Sequence, residues 1–371
     1  MDVVEAGHAG FVRTHRHVQA QHPRLLSLAD SAIPAGWRGH DVPMLTRPGW
    51  IPPRPLPLRA VQLDWHDDHE PPRDQPEARL LMPQLTTYSG ALTELAGMSH
   101  LYDGTIYRPV RVEATADGLR LGFTTGSYFG HLDHSEVLAY EAAALDLAGK
   151  DLADGPYRRA LGDPFDLSNR VACLGMVVLT LRVADGRAGF YLHQRNGDQV
   201  VSAPNVTHVV PAGEFAPARP GSAARAAGFD LWQAILREYA EEFLDVDEAY
   251  TAGGAPPDYD HDPPFREITA AYRSGRLRLH VLGVGLDPLT WTPELLLACA
   301  IDDSVFDTLF AGIVRHGKEG TILAGPHGHG LPFDASTVDR YAHDPATRNA
   351  ARASLKLAWL HRETICNSRV E

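Results

Sequence analysis

The chain reads as an α/β protein built on a mixed sheet, and three observations lead there. Val- and Leu-rich runs of strand length recur at 177–182, 277–286 and 294–301. Between the first and second lies a helix-period stretch, Leu231 to Leu244, in which Trp232, Ile235, Leu236, Tyr239 and Phe243 form one apolar stripe. Segments rich in Gly, Pro, Ala or Asp, at 216–228, 250–264 and 325–330, separate these elements as loops. With 371 residues, 44% hydrophobic and 22% charged, the composition is that of a folded globular protein, long enough for two modest domains or one decorated domain.

In chain order, residues 1–43 are rich in His, Arg and Ala without clear periodicity. They read as a leader: an ordered extension, a mobile segment, or translated sequence ahead of a start at Met44. Their histidines, at 8, 15, 17, 22 and 40, are too irregularly spaced to suggest a metal site. A proline-rich stretch, Pro48 to Pro57, reads as extended chain. Residues 44–165 form an N-terminal α/β segment. Its runs Thr105–Val112 and Leu119–Phe123 flank Ala116-Asp117-Gly118 as a hairpin, and Thr124–Gly130 reads as a small-residue loop. A helix then begins near His134, with Ser135 as its cap. In the segment 166–371, Val177–Arg182 and Phe190–Arg195 are strands joined by a turn at 184–186. His208–Val210 is a strand ended by a tight turn at Pro211-Ala212-Gly213. Asp230 caps the helix that starts at Leu231, and a final helix covers about 351–361.

The chemistry concentrates on Arg237-Glu238-Tyr239-Ala240-Glu241-Glu242. Glu238, Glu241 and Glu242 stand at i, i+3 and i+4, so they share one face of the helix, opposite the apolar stripe. Three carboxylates so close repel one another unless a cation sits among them, and a hard divalent ion with oxygen ligands fits that role. Arg237, four residues before Glu241, is placed to neutralise part of the cluster. A plain solvated acidic face is the competing account.

This strand, loop and helix resemble the signature of the Nudix hydrolases. Arg237, Glu238, Tyr239, Glu241 and Glu242 match the second half of that motif position by position, and Pro211-Ala212-Gly213 is similar to the turn that opens it. The departures are Phe229 where the first-half Glu is counted, Leu244 in place of the closing Gly, and a longer loop before Asp230. The resemblance covers roughly 170–300. It implies a Nudix-like α/β/α sandwich, with Mg²⁺ or Mn²⁺ on Glu238, Glu241 and Glu242, and with Glu241 and Arg237 in the reaction. Arg195, at the end of its strand, would reach a phosphate, and Gly213 would belong to the phosphate-side turn. Glu319, in a loop beyond the motif helix, is the candidate general base.

The implied activity is hydrolysis of a pyrophosphate bond in a nucleoside diphosphate derivative, such as a nucleotide sugar. The alternative is a catalytically impaired module that binds a nucleotide or metabolite as a sensor or scaffold. A formal net charge of −13 argues against a nucleic-acid polymer as partner. The sequence allows a homodimer. Cys173, Cys299 and Cys366 have no disulfide or zinc-finger spacing, and Cys173 and Cys299 read as small core residues. No apolar run is long enough for a bilayer, so no membrane partner and a cytoplasmic location are expected. His131-Leu132-Asp133-His134 reads as structural, and His327-Gly328-His329 as a turn.

Overall fold

The computed structural model describes residues 3–67, 72, 81, 86–184, 186–195, 206–218, 228–246, 257–310, 313, 320–325 and 327–367. The N-terminal residues form a long helix, α1 (Val3–Ser31), kinked at Gln21 just ahead of Pro23, which cannot continue the hydrogen-bond ladder. Phe11, Val18, Leu25, Leu26 and Ala29 are buried at helical spacing, but Thr14, His15 and His22 complete the same buried face and disguise it. After the short strand β1 (Leu56–Pro57) come β2 (Val61–Trp65) and α2 (Tyr88–Glu94). The hairpin follows as β3 (Thr105–Ala114) and β4 (Leu119–Ser127), paired from Ala114↔Leu119 to Thr105↔Ser127. With β2 parallel to β4 they make a three-stranded sheet.

The expected loop at 124–130 is instead the end of β4 followed directly by a helix. Ser127, not Ser135, is the cap, its hydroxyl accepting from the Gly130 amide at 3.1 Å. The helix runs as α3 (Tyr128–His131), a π-helical turn at Leu132–Glu136, and α4 (Val137–Leu147). On α4, Asp146 accepts hydrogen bonds from Arg24 and lies 2.9 Å from His17 Nε2, fastening α1. The segment closes with α5 (Pro156–Leu161).

Next come β5 (Gly175–Ala184), β6 (Arg187–Phe190), β7 (Leu192–Arg195), β8 (Thr207–Val209) and β9 (Ala212–Glu214). The run expected as one strand, 190–195, divides at Tyr191. β6 stays beside β5, while β7 leaves to pair with β8. The expected turn at 211–213 is likewise the start of β9, which pairs antiparallel to β5. Helices α6 (Leu231–Leu244) and α7 (Phe265–Arg273) follow. They lead to β10 (Leu277–Leu286), β11 (Pro293–Asp302) and α8 (Asp303–Leu309). The chain finishes with β12 (Gly320–Leu323), β13 (Leu331–Pro332), α9 (Ala335–His343), α10 (Asn349–Leu360) and α11 (Arg362–Asn367).

The fold is therefore α+β. Its main sheet is mixed, in the order β1-β10-β11-β5-β6-β13 with β9 also on β5, and only the β11–β5 pair is parallel. A second small sheet has the order β12-β7-β8. Alternate residues of β5 serve two cores, as a strand buried on both faces requires. Met176 and Val178 join α6, α7 and α8, whereas Val177, Leu179 and Leu181 join α9 and α10. The first core also takes in Tyr107, Leu121 and Phe123 of the N-terminal sheet. The N-terminal segment also supplies β1 to the main sheet, through its pairing with β10, so the two sheets share one core. Among the described residues, no helix is long and apolar enough to cross a membrane.

Candidate functional site

Helix α6 is built as its sequence predicts. The Asp230 carboxylate accepts from the Gln233 amide at 2.9 Å, and Ile235, Leu236, Tyr239 and Phe243 are fully buried. Trp232 stacks on Tyr272 with ring centroids 4.3 Å apart. The helix ends with Asp245 in the left-handed conformation, φ +52°, a geometry that Asp tolerates better than most residues. This fixes the acidic face against β9.

The three glutamates have different surroundings. Glu238 lays its carboxylate over the α-carbon of Gly213. A Cβ there would stand 2.0 Å from Oε2 and 2.1 Å from Cδ, so only glycine admits this side chain. Glu241 faces a cleft of about 380 Å³ that Glu238, Glu214 and Arg237 also line. Glu242 is not among the lining residues. Its Oε1 accepts from the Ala212 amide at 3.2 Å, and its Oε2 lies 3.5 Å from His193 Nδ1 with both side chains 6% exposed. The motif carboxylates therefore divide, with Glu238 and Glu241 at the cleft and Glu242 against the sheet.

Arg237 borders the same cleft and donates to the Tyr259 hydroxyl and the Ala216 carbonyl, each at 3.0 Å. The far wall comes from the N-terminal segment, with Tyr102, Ile106 and Tyr128, so the cleft lies at the junction of the two sheets. Arg195 ends β7, its backbone opposite Gly320 of β12. Glu319 lies outside the described residues. Phe229, at the position counted for the first-half Glu, belongs to an aromatic cluster. Its ring centroid is 5.1 Å from Trp65, 5.0 Å from Tyr107 and 5.4 Å from Phe123.

No protein-family model matches the chain, and no curated protein matches it. The reading of the site therefore rests on its geometry.

A second constellation went unread in the sequence. His131 at the end of α3, Cys173 just before β5 and Glu214 at the end of β9 bring one donor atom each to within 4.8 Å of one another. Among the described residues, theirs is the group of three or more His, Cys, Asp or Glu side chains with that spacing. His131 and Cys173 are buried and Glu214 is exposed. The Cys173 thiol meets Glu214 Oε2 at 3.3 Å, and the Cys173 amide donates to His131 Nδ1 at 3.2 Å. Burial, with Glu214 close by, holds the thiol well above its ordinary pKa, and burial brings His131 down to about 3. His134, by contrast, spends its Nδ1 on the Gly130 carbonyl at 2.7 Å, and Asp133 accepts from the Ser89 amide at 2.7 Å. Those two residues are structural, as expected.

Proposed function

We propose that the protein is a Nudix-like, metal-dependent hydrolase acting on the pyrophosphate bond of a small nucleoside diphosphate derivative. One observation carries this reading. Glu238, Glu241, Glu214 and the guanidinium of Arg237 line a single cleft whose opposite wall bears Tyr102, Ile106 and Tyr128. A diphosphate does not approach several carboxylates without a cation between them, and an all-oxygen donor set suits Mg²⁺ or Mn²⁺. Glu238 and Glu241 would hold that ion, which would supply charge neutralisation and a more acidic water. Gly213 lets Glu238 lie flat against β9, so the carboxylate is positioned before any ligand arrives. Arg237, tied to Ala216 and Tyr259, keeps a fixed cation at the rim for an anionic group. The aromatic wall gives the non-phosphate half of the substrate an apolar surface.

A second reading has its own support. Glu242 is engaged by the Ala212 amide, and Phe229 fills a hydrophobic position, both of which favour a module that binds a nucleotide without cleaving it. Hydrolysis of a nucleotide-sugar and dinucleotide panel with Mg²⁺ or Mn²⁺ separates the two. The hydrolase reading expects metal-dependent cleavage that falls at least about 100-fold in Glu241→Gln, the upper end of what losing even an outer-shell partner costs. Binding of a nucleotide with no cleavage by the wild-type protein would establish the second reading.

A further inference from the structure

We propose that His131, Cys173 and Glu214 form a site for a borderline-soft transition-metal ion of the Zn²⁺ class, distinct from the hard-ion site of the cleft. The donor set decides the class. Nitrogen, sulfur and carboxylate oxygen together are the ligands of Zn²⁺ and its Co²⁺ surrogate, whereas Mg²⁺ takes oxygen. The spacing agrees. Zn–S near 2.3 Å and Zn–O near 2.0 Å at a tetrahedral angle put sulfur and oxygen about 3.5 Å apart. Cys173 Sγ and Glu214 Oε2 are 3.3 Å apart.

The histidine is held in the tautomer a metal needs. Its Nδ1 faces the Cys173 amide, and its Nε2 faces Glu136 Oε1 at 3.7 Å. The neutral ring thus carries its proton on Nε2, toward a carboxylate, and its Nδ1 lone pair accepts the Cys173 amide hydrogen, a bond that an ion at Nδ1 would replace. A carboxylate behind a ligating imidazole is the usual outer-shell arrangement of protein metal sites. Glu136 reaches this position from the π-helical turn 132–136, an irregularity that recurs at functional sites.

The surroundings favour a cation. A recess of about 100 Å³ beside the three donors is lined by Glu136, Glu294 and Arg348 as well, so carboxylates outnumber the guanidinium. A divalent ion would offset that excess and convert Cys173 to the thiolate, with the thiol proton released to solvent. Glu214 lines both this recess and the cleft, so the two adjoin, and three protein donors leave a tetrahedral ion one further position. Three protein ligands with one open position is the pattern of a reactive rather than a purely structural zinc site.

The test uses Co²⁺ and Zn²⁺ directly, with no activity assay. Purified full-length protein titrated with Co²⁺ should develop an intense near-ultraviolet thiolate-to-metal band saturating at about one equivalent, and Zn²⁺ should abolish it by competition. The band should vanish in Cys173→Ala and persist in Cys299→Ala and Cys366→Ala. Glu214→Gln, an exposed change that leaves the core intact, should weaken Zn²⁺ binding about 10-fold or more. Glu241→Gln should leave the band unchanged, which separates this site from the proposed hydrolytic one. Absence of a thiolate band in the wild-type protein, or Zn²⁺ affinity unchanged in both Cys173→Ala and Glu214→Gln, would overturn the proposal.

Discussion

Gly213→Ala is the sharpest probe of how β9 and α6 build the cleft. Gly213 is not in a left-handed conformation, so its backbone accepts alanine, and the loss of unfolded-state freedom should favour the variant by about 0.4–1 kcal/mol. Against that stands one collision. The three atoms nearest the new methyl all belong to the Glu238 carboxyl group, at 2.0, 2.1 and 2.3 Å. Glu238 is the end of a flexible side chain on a partly exposed helix face, so it can rotate away. Moving it off its preferred rotamer and out of its present contacts costs about 0.5–1.5 kcal/mol. The two effects nearly cancel, and global stability should change by less than about 1 kcal/mol.

The carboxylate, however, no longer lies where Glu241 can share an ion with it. Calorimetry should show weaker Mn²⁺ binding while denaturant unfolding shows little change. The mechanism is checked by a double-mutant cycle. In a Glu238→Ala background the collision is gone, so Gly213→Ala should become stabilising by about 0.4–1 kcal/mol, with a coupling of at least about 0.5 kcal/mol between the sites. A loss of several kcal/mol in both backgrounds would mean that the methyl strikes the sheet rather than Glu238, and the account of the cleft would be wrong.

Other consequences follow from the same packing. Ile235→Ala removes a fully buried side chain from the core beneath α6 and should cost about 2–4 kcal/mol in denaturant unfolding. Phe229→Glu, which introduces the acid that the sequence resemblance counts at this position, places a carboxylate among Trp65, Tyr107, Phe123 and Phe215. It should cost more than about 3 kcal/mol and raise no activity above that of the wild type, as unfolding and the hydrolysis panel would show. The acid limb of stability should be steep. Burial, with Arg348 nearby, brings His22 down from 6.5 to about 3, and burial brings His280 to about 4. Both stay neutral in the fold but take a proton when unfolded. Their stabilising contribution is therefore complete above pH 6.5 and is lost as pH falls toward 4, at up to about 1.4 kcal/mol per pH unit for each. His22→Leu should make that slope shallower by one proton, measured by urea unfolding between pH 4 and 7.

The legibility of the sequence differed element by element for physical reasons. Helix α6 was readable to the residue because its cap, its apolar stripe and its acidic face are all local. The β3–β4 hairpin and the β10 and β11 strands were readable because their runs are long and their turns carry glycine or proline. Helix α1 was not, because Thr14, His15 and His22 occupy buried positions that a hydrophobic pattern leaves blank. Strand β9 has three residues, and its Pro-Ala-Gly lead-in has turn chemistry; only pairing with β5 makes it a strand. The His131, Cys173 and Glu214 cluster joins residues 42 and 41 positions apart. Cys173 on its own resembled core packing, and nothing local in the sequence distinguishes the two roles.

Strand β9 is the element on which both proposed sites depend. Ala212 gives its amide to Glu242, Gly213 admits Glu238, and Glu214 turns toward Cys173 and the cleft. Three consecutive residues thus set the positions of three carboxylates without any ligand. This arrangement makes the fate of Glu242 decisive for the choice between hydrolysis and binding. Its Oε1 is committed to a backbone amide that cannot move without breaking the β9–β5 pairing, while its Oε2 takes no hydrogen bond in a buried setting. Held by that amide and outside the cleft lining, Glu242 leaves the ion to Glu238 and Glu241, which is why its contact counts toward the binding reading. A hydrolytic site of this construction must hold its ion on Glu238 and Glu241, whereas a binding site that needs only Arg237 and the aromatic wall has no such requirement.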